Sequence, residues 1–196
     1  MIKVIDNIIS KKEQKKLIDL MITNSFRNNF NWFFQPDVTI KTNKLQRRPG
    51  FSHVFIQEKN VPNSDYLNYV MPIIDNTKDK LKISVKDVLQ VRSFLQLPLD
   101  KNFIGKNIDT PHIDLQTPHT VFLYYLCDSD GDTVIYDYKS KNKKDIPYFE
   151  NIKELKRIKP KQGRVVVFDG LYWHTAEQPT KDVRCIINCN ISTNGT

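Results

Sequence analysis

The chain has 196 residues, 39% of them hydrophobic and 27% charged, with a net charge of +8, which suits one domain with a sizeable core and excludes a disordered chain. No apolar run nears the ~20 residues needed to span a bilayer. The start, Met1-Ile-Lys-Val-Ile-Asp-Asn, lacks the apolar stretch and cleavage site of a signal peptide, so the expectation is a cytoplasmic protein with no membrane partner. Three cysteines, Cys127, Cys185 and Cys189, are too few for a disulfide framework or a Cys-rich zinc site, and Cys185 and Cys189, four apart, read as small core residues on one strand face.

In chain order, residues 2–5 read as a short strand. Ser10 followed by Glu13 is a capping-box pattern. It opens an amphipathic helix over 11–24 with Leu17, Ile18, Met21 and Ile22 on one face. Residues 27–50 are polar and aromatic and read mostly as loop with a strand pair; Trp32-Phe-Phe34 within it reads as core rather than lid. Residues 51–57 read as a strand. Ser64 is the expected cap of a second helix toward Leu81, which Pro72 kinks or restarts. The texture then changes. Residues 85–97, 120–126, 133–138, 164–168 and 183–191 are β-branched, aromatic or alternating, with turn residues such as Asp128-Ser-Asp-Gly131 and Asp169-Gly170 between them. Helices followed by many short strands predict an α+β chain built on a β-sandwich or jelly roll. A single domain over 1–196 is expected, with an N-terminal part over 1–84 and a jelly-roll core over 85–192. The zone from 139 to 164 carries ten Lys/Arg against three acids and reads as a solvated insertion between strands, apart from any metal site. No βαβ rhythm and no Gly-rich phosphate loop is present, which argues against a nucleotide-binding fold.

The chemistry-bearing residues are few. His112-Ile-Asp114 puts an imidazole and a carboxylate on one side of an extended segment, where both can chelate one metal. His174 lies 60 residues beyond Asp114, and in a jelly roll strands that distant can be neighbours. Two His and one carboxylate with open positions opposite form the facial triad of non-heme Fe(II) oxygenases. A 2-oxo acid fills two open positions, and its distal carboxylate then needs a cation. Arg184, ten residues after His174, suits that because its planar fork meets a carboxylate bidentately.

With these residues the chain resembles the 2-oxoglutarate/Fe(II)-dependent oxygenases, in particular the prolyl 4-hydroxylase-like branch and its compact phage and marine-microbial members. The resemblance runs over residues 85–191 through Pro111-His-Ile-Asp114, Thr120-Val-Phe-Leu-Tyr-Tyr-Leu126, Gly131-Asp-Thr133, Gly163-Arg-Val-Val-Val-Phe-Asp-Gly170, His174, and Arg184 to Asn188. It implies a double-stranded β-helix (jelly roll) with the N-terminal helices packed on one sheet. It implies Fe(II) on His112, Asp114 and His174, 2-oxoglutarate on Arg184 and Tyr125, dioxygen as co-reactant and ascorbate as a supporting reductant. The implied reaction is hydroxylation of an aliphatic C–H in a small molecule or peptide, a prolyl residue or amino acid included. Tyr125 would support Arg184, while Tyr124, on the opposite strand face, would point outward. Gln90, Arg92 or Phe94 would add a polar contact from the preceding strand, with no choice among them. Two departures are visible: the family's Gly-Gly-x-Thr turn is Gly131-Asp-Thr133 here, and the linker over 97–110 is longer than in compact members.

His119 could extend the triplet into a local chelate, but it opens the next strand and is not expected to bind metal. His53 reads as strand packing or a substrate contact. Two rival functions remain: a non-catalytic, cupin-like jelly roll binding zinc or manganese, and a nucleic-acid-acting oxygenase suggested by the charge. Arg184 with Tyr125 speaks against the first, and the lack of aromatics interleaved with Arg in the basic zone against the second.

Overall fold

The computed structural model describes residues 2–23, 30–38, 48–100, 108–140, 142 and 152–193. Within them the chain forms β1 (Lys3–Ile5), α1 (Lys11–Met21), β2 (Phe33–Gln35), β3 (Gly50–Glu58), β4 (Val61–Pro62), α2 (Leu67–Leu81), β5 (Val85–Gln96), β6 (Thr120–Tyr125), β7 (Thr133–Lys139), β8 (Glu154–Ile158), β9 (Val165–Asp169), β10 (Tyr172–Ala176) and β11 (Arg184–Thr193). The larger sheet runs β1-β9-β6-β11-β5-β3-β2, with β4 on β3, and the smaller runs β10-β7-β8. All of these pairs are antiparallel. Two isolated bridges, Ile108↔Glu177 and His112↔His174, lay the segment before Asp114 along the outer edge of β10. The expected jelly roll is present, and β1, β2 and β3 from the first 84 residues belong to its larger sheet.

The helices form for local reasons. Ser10 and Glu13 make the reciprocal capping box at the start of α1. Its buried stripe is Gln14, Leu17 and Met21, spaced as one helix face requires. Gln14 is polar yet buried because its amide donates to the Ile9 carbonyl at 3.0 Å. The second helix differs from its expectation. Tyr66, without a side-chain bond, is the N-cap, and Pro72 lies inside a continuous helix. Ser64 acts two residues earlier, accepting from the Tyr66 amide and meeting His53 Nε2.

Two apolar layers result from period-two alternation. On β6, Phe122 and Tyr124 face the helices, whereas Val121, Leu123 and Tyr125 face the interior between the sheets. On β9 the split is Val165 and Val167 against Val166 and Phe168, and on β11 it is Cys185, Ile187, Cys189 and Ile191 against Ile186. These strands read as unbroken apolar runs because both faces are covered. Tyr124 is therefore buried under α1 and α2 and does not point outward as expected: the N-terminal helices cover that face. Cys185 and Cys189 share the helix-side core, as their spacing predicts. Phe33 and Phe34 are 57% and 62% exposed, and only Trp32 of that trio joins the core. The basic zone is not all loop either, since Glu154–Ile158 forms β8 against β7; residues 141 and 143–151 of it lie outside the described residues. Among the described residues no helix is long and apolar enough to cross a membrane.

Candidate metal and cosubstrate site

His112 and His174 face each other across the outer edge of β10. Each backbone amide donates to the other's carbonyl, at 2.9 and 3.0 Å, and the two rings lie 4.8 Å apart. Asp114 follows in a bend, with its oxygens 3.9 Å from His112 Nε2 and 3.6 Å from His174 Nε2. One donor atom from each of the three lies within 4.8 Å of the others. The backbone also sets the tautomers. His112 Nδ1 sits 3.2 Å from the Thr110 carbonyl and His174 Nδ1 3.0 Å from the Tyr172 carbonyl. A carbonyl only accepts, so each Nδ1 carries the proton and each Nε2 offers a lone pair toward the third ligand.

Asp114 is deeply buried. Burial alone would raise its pKa, but His174, His112, Arg92 and the Asn188 amide together hold it well below the usual carboxylate range. Asn188 Nδ2 donates to Oδ2 at 2.8 Å and Arg92 Nη2 reaches Oδ1 at 3.4 Å. Burial lowers the His174 pKa to about 4, against the opposing pull of Asp114. A buried carboxylate beside two imidazoles that each turn Nε2 toward it is the donor set a divalent transition metal requires.

These groups line a cavity of about 370 Å³ that also contains Arg184. The guanidinium is buried and held by neutral acceptors: Nε to the Gly131 carbonyl at 3.0 Å, Nη1 to Gln96 Oε1 at 3.0 Å and Nη2 to Thr133 Oγ1 at 2.8 Å. The Gly131-Asp-Thr133 turn thus supplies two of the three acceptors. A side chain at Gly131 would collide with the Glu177 carbonyl, which is why glycine stands there. Tyr125 donates its hydroxyl to the same Thr133 oxygen at 2.7 Å, and its ring lies 5.9 Å below the Arg184 carbon. Burial lowers the Arg184 pKa, against Tyr125 and Asp109. Guanidinium has five N–H donors; the three bonds leave one on each terminal nitrogen, the pair that can fork onto a carboxylate.

The structure sorts the three candidates on β5. Gln90 turns to Asn190 at 3.5 Å, while Arg92 and Phe94 line the cavity. The sequence reading missed Gln96, two positions further on the same face, which bonds Arg184. It also missed Asn188 as the support of Asp114, although Arg184, Ile186 and Asn188 share one face by alternation. A buried Arg48–Asp109 pair, 2.7 Å apart, was missed as well. His119 is buried but outside the three-residue group, with Nδ1 against the Thr117 carbonyl and its ring packed on Gly170. His53 is strand packing, bonded to the Asn31 carbonyl and Ser64. Among the described residues no side chain from 139 to 161 joins the metal group.

The sequence matches no family model and no curated protein. The fold does have counterparts. One is an oxidoreductase of the 2OG-Fe(II) oxygenase family from Burkholderia pseudomallei, with TM-score 0.65 and 11% identity over 97% of this chain and 84% of that one. A prolyl hydroxylase from Trichoplax adhaerens, in complex with a hypoxia inducible factor peptide fragment, aligns with TM-score 0.61 and 11% identity over 97% and 82%. HygX from Streptomyces hygroscopicus, with nickel and 2-oxoglutarate bound, aligns with TM-score 0.60 and 9% identity over 99% and 83%. The chain therefore has the double-stranded β-helix fold of the 2-oxoglutarate/Fe(II) oxygenases.

Proposed function

We propose that this chain is a 2-oxoglutarate- and Fe(II)-dependent dioxygenase that hydroxylates an aliphatic C–H of an amino acid or prolyl residue. The observation that carries the reading is one cavity holding both the His112, Asp114 and His174 donor set and a buried Arg184 with two donors to spare. A plain metal-binding jelly roll has no use for the second feature, because a buried guanidinium without a hydrogen-bonded carboxylate is costly to keep. The bound nickel and 2-oxoglutarate of HygX support the same pairing of metal and cosubstrate. HygX with hygromycin B bound and the Trichoplax enzyme in complex with a peptide are neighbours of this fold that hold unlike molecules.

In this reading His112, Asp114 and His174 hold Fe(II), and Arg184 forks onto the distal carboxylate of 2-oxoglutarate. Once bound there, iron, 2-oxoglutarate and dioxygen supply the oxidation, in which 2-oxoglutarate goes to succinate and carbon dioxide and one oxygen atom enters the substrate C–H. The protein's residues orient and shield. Asn188 fixes the Asp114 carboxylate, Thr133 and Gln96 fix Arg184, and Leu123 and Ile186 keep the cavity wall apolar.

The test is succinate formation from 2-oxoglutarate by purified protein with Fe(II) and air, alongside His112→Ala, Asp114→Ala and His174→Ala. Each variant should lose turnover and Fe(II) binding. Full activity in any of them would remove that residue from the site.

A further inference from the structure

The cavity contains a second arginine whose hydrogen bond to Asp114 leaves most of its donors unused. Arg92 lies on β5, opposite Asn188 of β11 and Val54 of β3, and turns into the cavity beside Asp114. Its guanidinium carbon sits 5.3 Å over the Phe94 ring. Its polar contacts are sparse. Nη2 reaches Asp114 Oδ1 at 3.4 Å, the outer limit of a hydrogen bond. Nε is shielded from water and has no hydrogen-bond partner. Arg184, in the same cavity, is by contrast held by three acceptors.

A partly buried guanidinium with most of its donors unmade is built to receive an acceptor. Asp114 does not serve as that acceptor, because in the oxygenase reading it ligates iron and its other oxygen is taken by Asn188. Asp109, another acid of the cavity, is bound to Arg48 and Gln96. A peptide carbonyl would satisfy one N–H at a time. A carboxylate would take two in parallel and bring the compensating charge. Phe94, Ile113, Leu123 and Ile186 offer apolar surface nearby for a carbon skeleton.

We propose that Arg92 anchors the free carboxylate of a small substrate acid next to the metal site, so that the enzyme acts on a free amino acid or similar short carboxylic acid rather than on a residue within a polypeptide. This rests on the oxygenase reading and deepens it. Two cations in one cavity then answer two carboxylates, Arg184 that of the cosubstrate and Arg92 that of the substrate.

The experiment uses the full chain loaded with Mn(II). Binding of 2-oxoglutarate is measured first by calorimetry. With 2-oxoglutarate saturating, a panel of free amino acids and short aliphatic acids, each beside its carboxamide, is then screened for Mn(II)-induced broadening of ligand protons. At least one acid should be broadened strongly and its carboxamide at least tenfold less. Arg92→Leu should weaken that acid at least tenfold and leave 2-oxoglutarate affinity within about twofold; Arg92→Lys should recover part of the loss. If wild type fails to bind 2-oxoglutarate, the oxygenase reading falls and the proposal with it. If 2-oxoglutarate binds but no acid in the panel is broadened, or acids and carboxamides behave alike, the proposal alone falls. It also falls if Arg92→Leu weakens 2-oxoglutarate itself tenfold, which would place Arg92 on the cosubstrate, or if inorganic phosphate displaces the acids.

Discussion

Gln96 joins two buried charges. Its amide oxygen accepts from Arg184 and its nitrogen donates to Asp109 Oδ2 at 3.2 Å, so the orientation of one side chain depends on both. Burial pushes the Asp109 carboxyl up to about 6, despite Arg48, Arg184 and Gln96, which pull the other way. Between about pH 4 and 6 the folded chain keeps a proton that the unfolded chain has released. Stability contributed by this group therefore falls as pH rises through that window and is level above it. From 3.8 to about 6 the effect is on the order of 3 kcal/mol at about 1.4 kcal/mol per tenfold. Asp109→Asn should remove the slope: thermal melts of wild type and variant should diverge between pH 4 and 6 and run parallel above pH 7. Parallel melts throughout would show Asp109 ionised across the whole range. The same residues mark what a sequence reveals at this scale. That His112, Asp114, His174 and Arg184 meet in one cavity was legible from type and spacing, whereas Gln96, Asn188 and Asp109 matter through neighbours on other strands, which spacing along one strand does not show.

Among the elements, the turn between β9 and β10 is the most exacting. The Gly170 amide donates to the His119 carbonyl at 2.8 Å, and a Cβ at Gly170 would overlap the His119 ring. That ring therefore packs on the turn that leads into the strand carrying His174. Gly170→Ala should cost about 1–3 kcal/mol by overpacking, a fall in Tm of very roughly 2–12 °C for a chain of this size, and should weaken Mn(II) binding. His119→Ala in the same chain should recover most of both losses; if instead the two effects simply add, the ring contact is not the cause. Element recognition from sequence succeeded where periodicity was strong, as in α1, β5, β6 and β11. It failed for β8, whose first four residues are exposed, because a charged strand at a sheet edge has the composition of a loop. There Arg157 gathers Glu154, Asp132 and Glu177, a network that exists only once β7 and β8 pair. The extended backbone around His174 was likewise not legible as a strand, since β10 is short and irregular between Tyr172 and His174.

Over the whole molecule, the jelly roll followed from the succession of elements, but the pairing of β1 with β9, Lys3 opposite Val167, joins segments far apart in the chain that no local pattern relates. Net charge of +8 is a property at the same scale. Four of the ten basic residues of the zone from 139 to 164 are paired among the described residues: Arg157 with Glu154 and Glu177, Lys161 and Arg164 with Asp6, and Lys139 with Asp169. Binding to DNA or RNA should accordingly be weak and vanish between about 50 and 200 mM salt; a gel shift persisting at the higher salt would favour the nucleic-acid reading instead.

The His112, Asp114 and His174 donor set and Arg184 are proposed to form one 2-oxoglutarate site. Calorimetric titration of 2-oxoglutarate into anaerobic Mn(II)- or Fe(II)-loaded protein tests it most directly. Wild type should bind one equivalent per chain. Arg184→Met should lose about 3–5 kcal/mol of that affinity, as expected for removing one partner of a buried pair, which is on the order of a hundredfold or more. Metal affinity should stay nearly unchanged, with Arg184→Lys recovering part of the loss because it restores the charge without the fork. Absence of 2-oxoglutarate binding by the metal-loaded wild type, or equal affinity in Arg184→Met, would contradict the account.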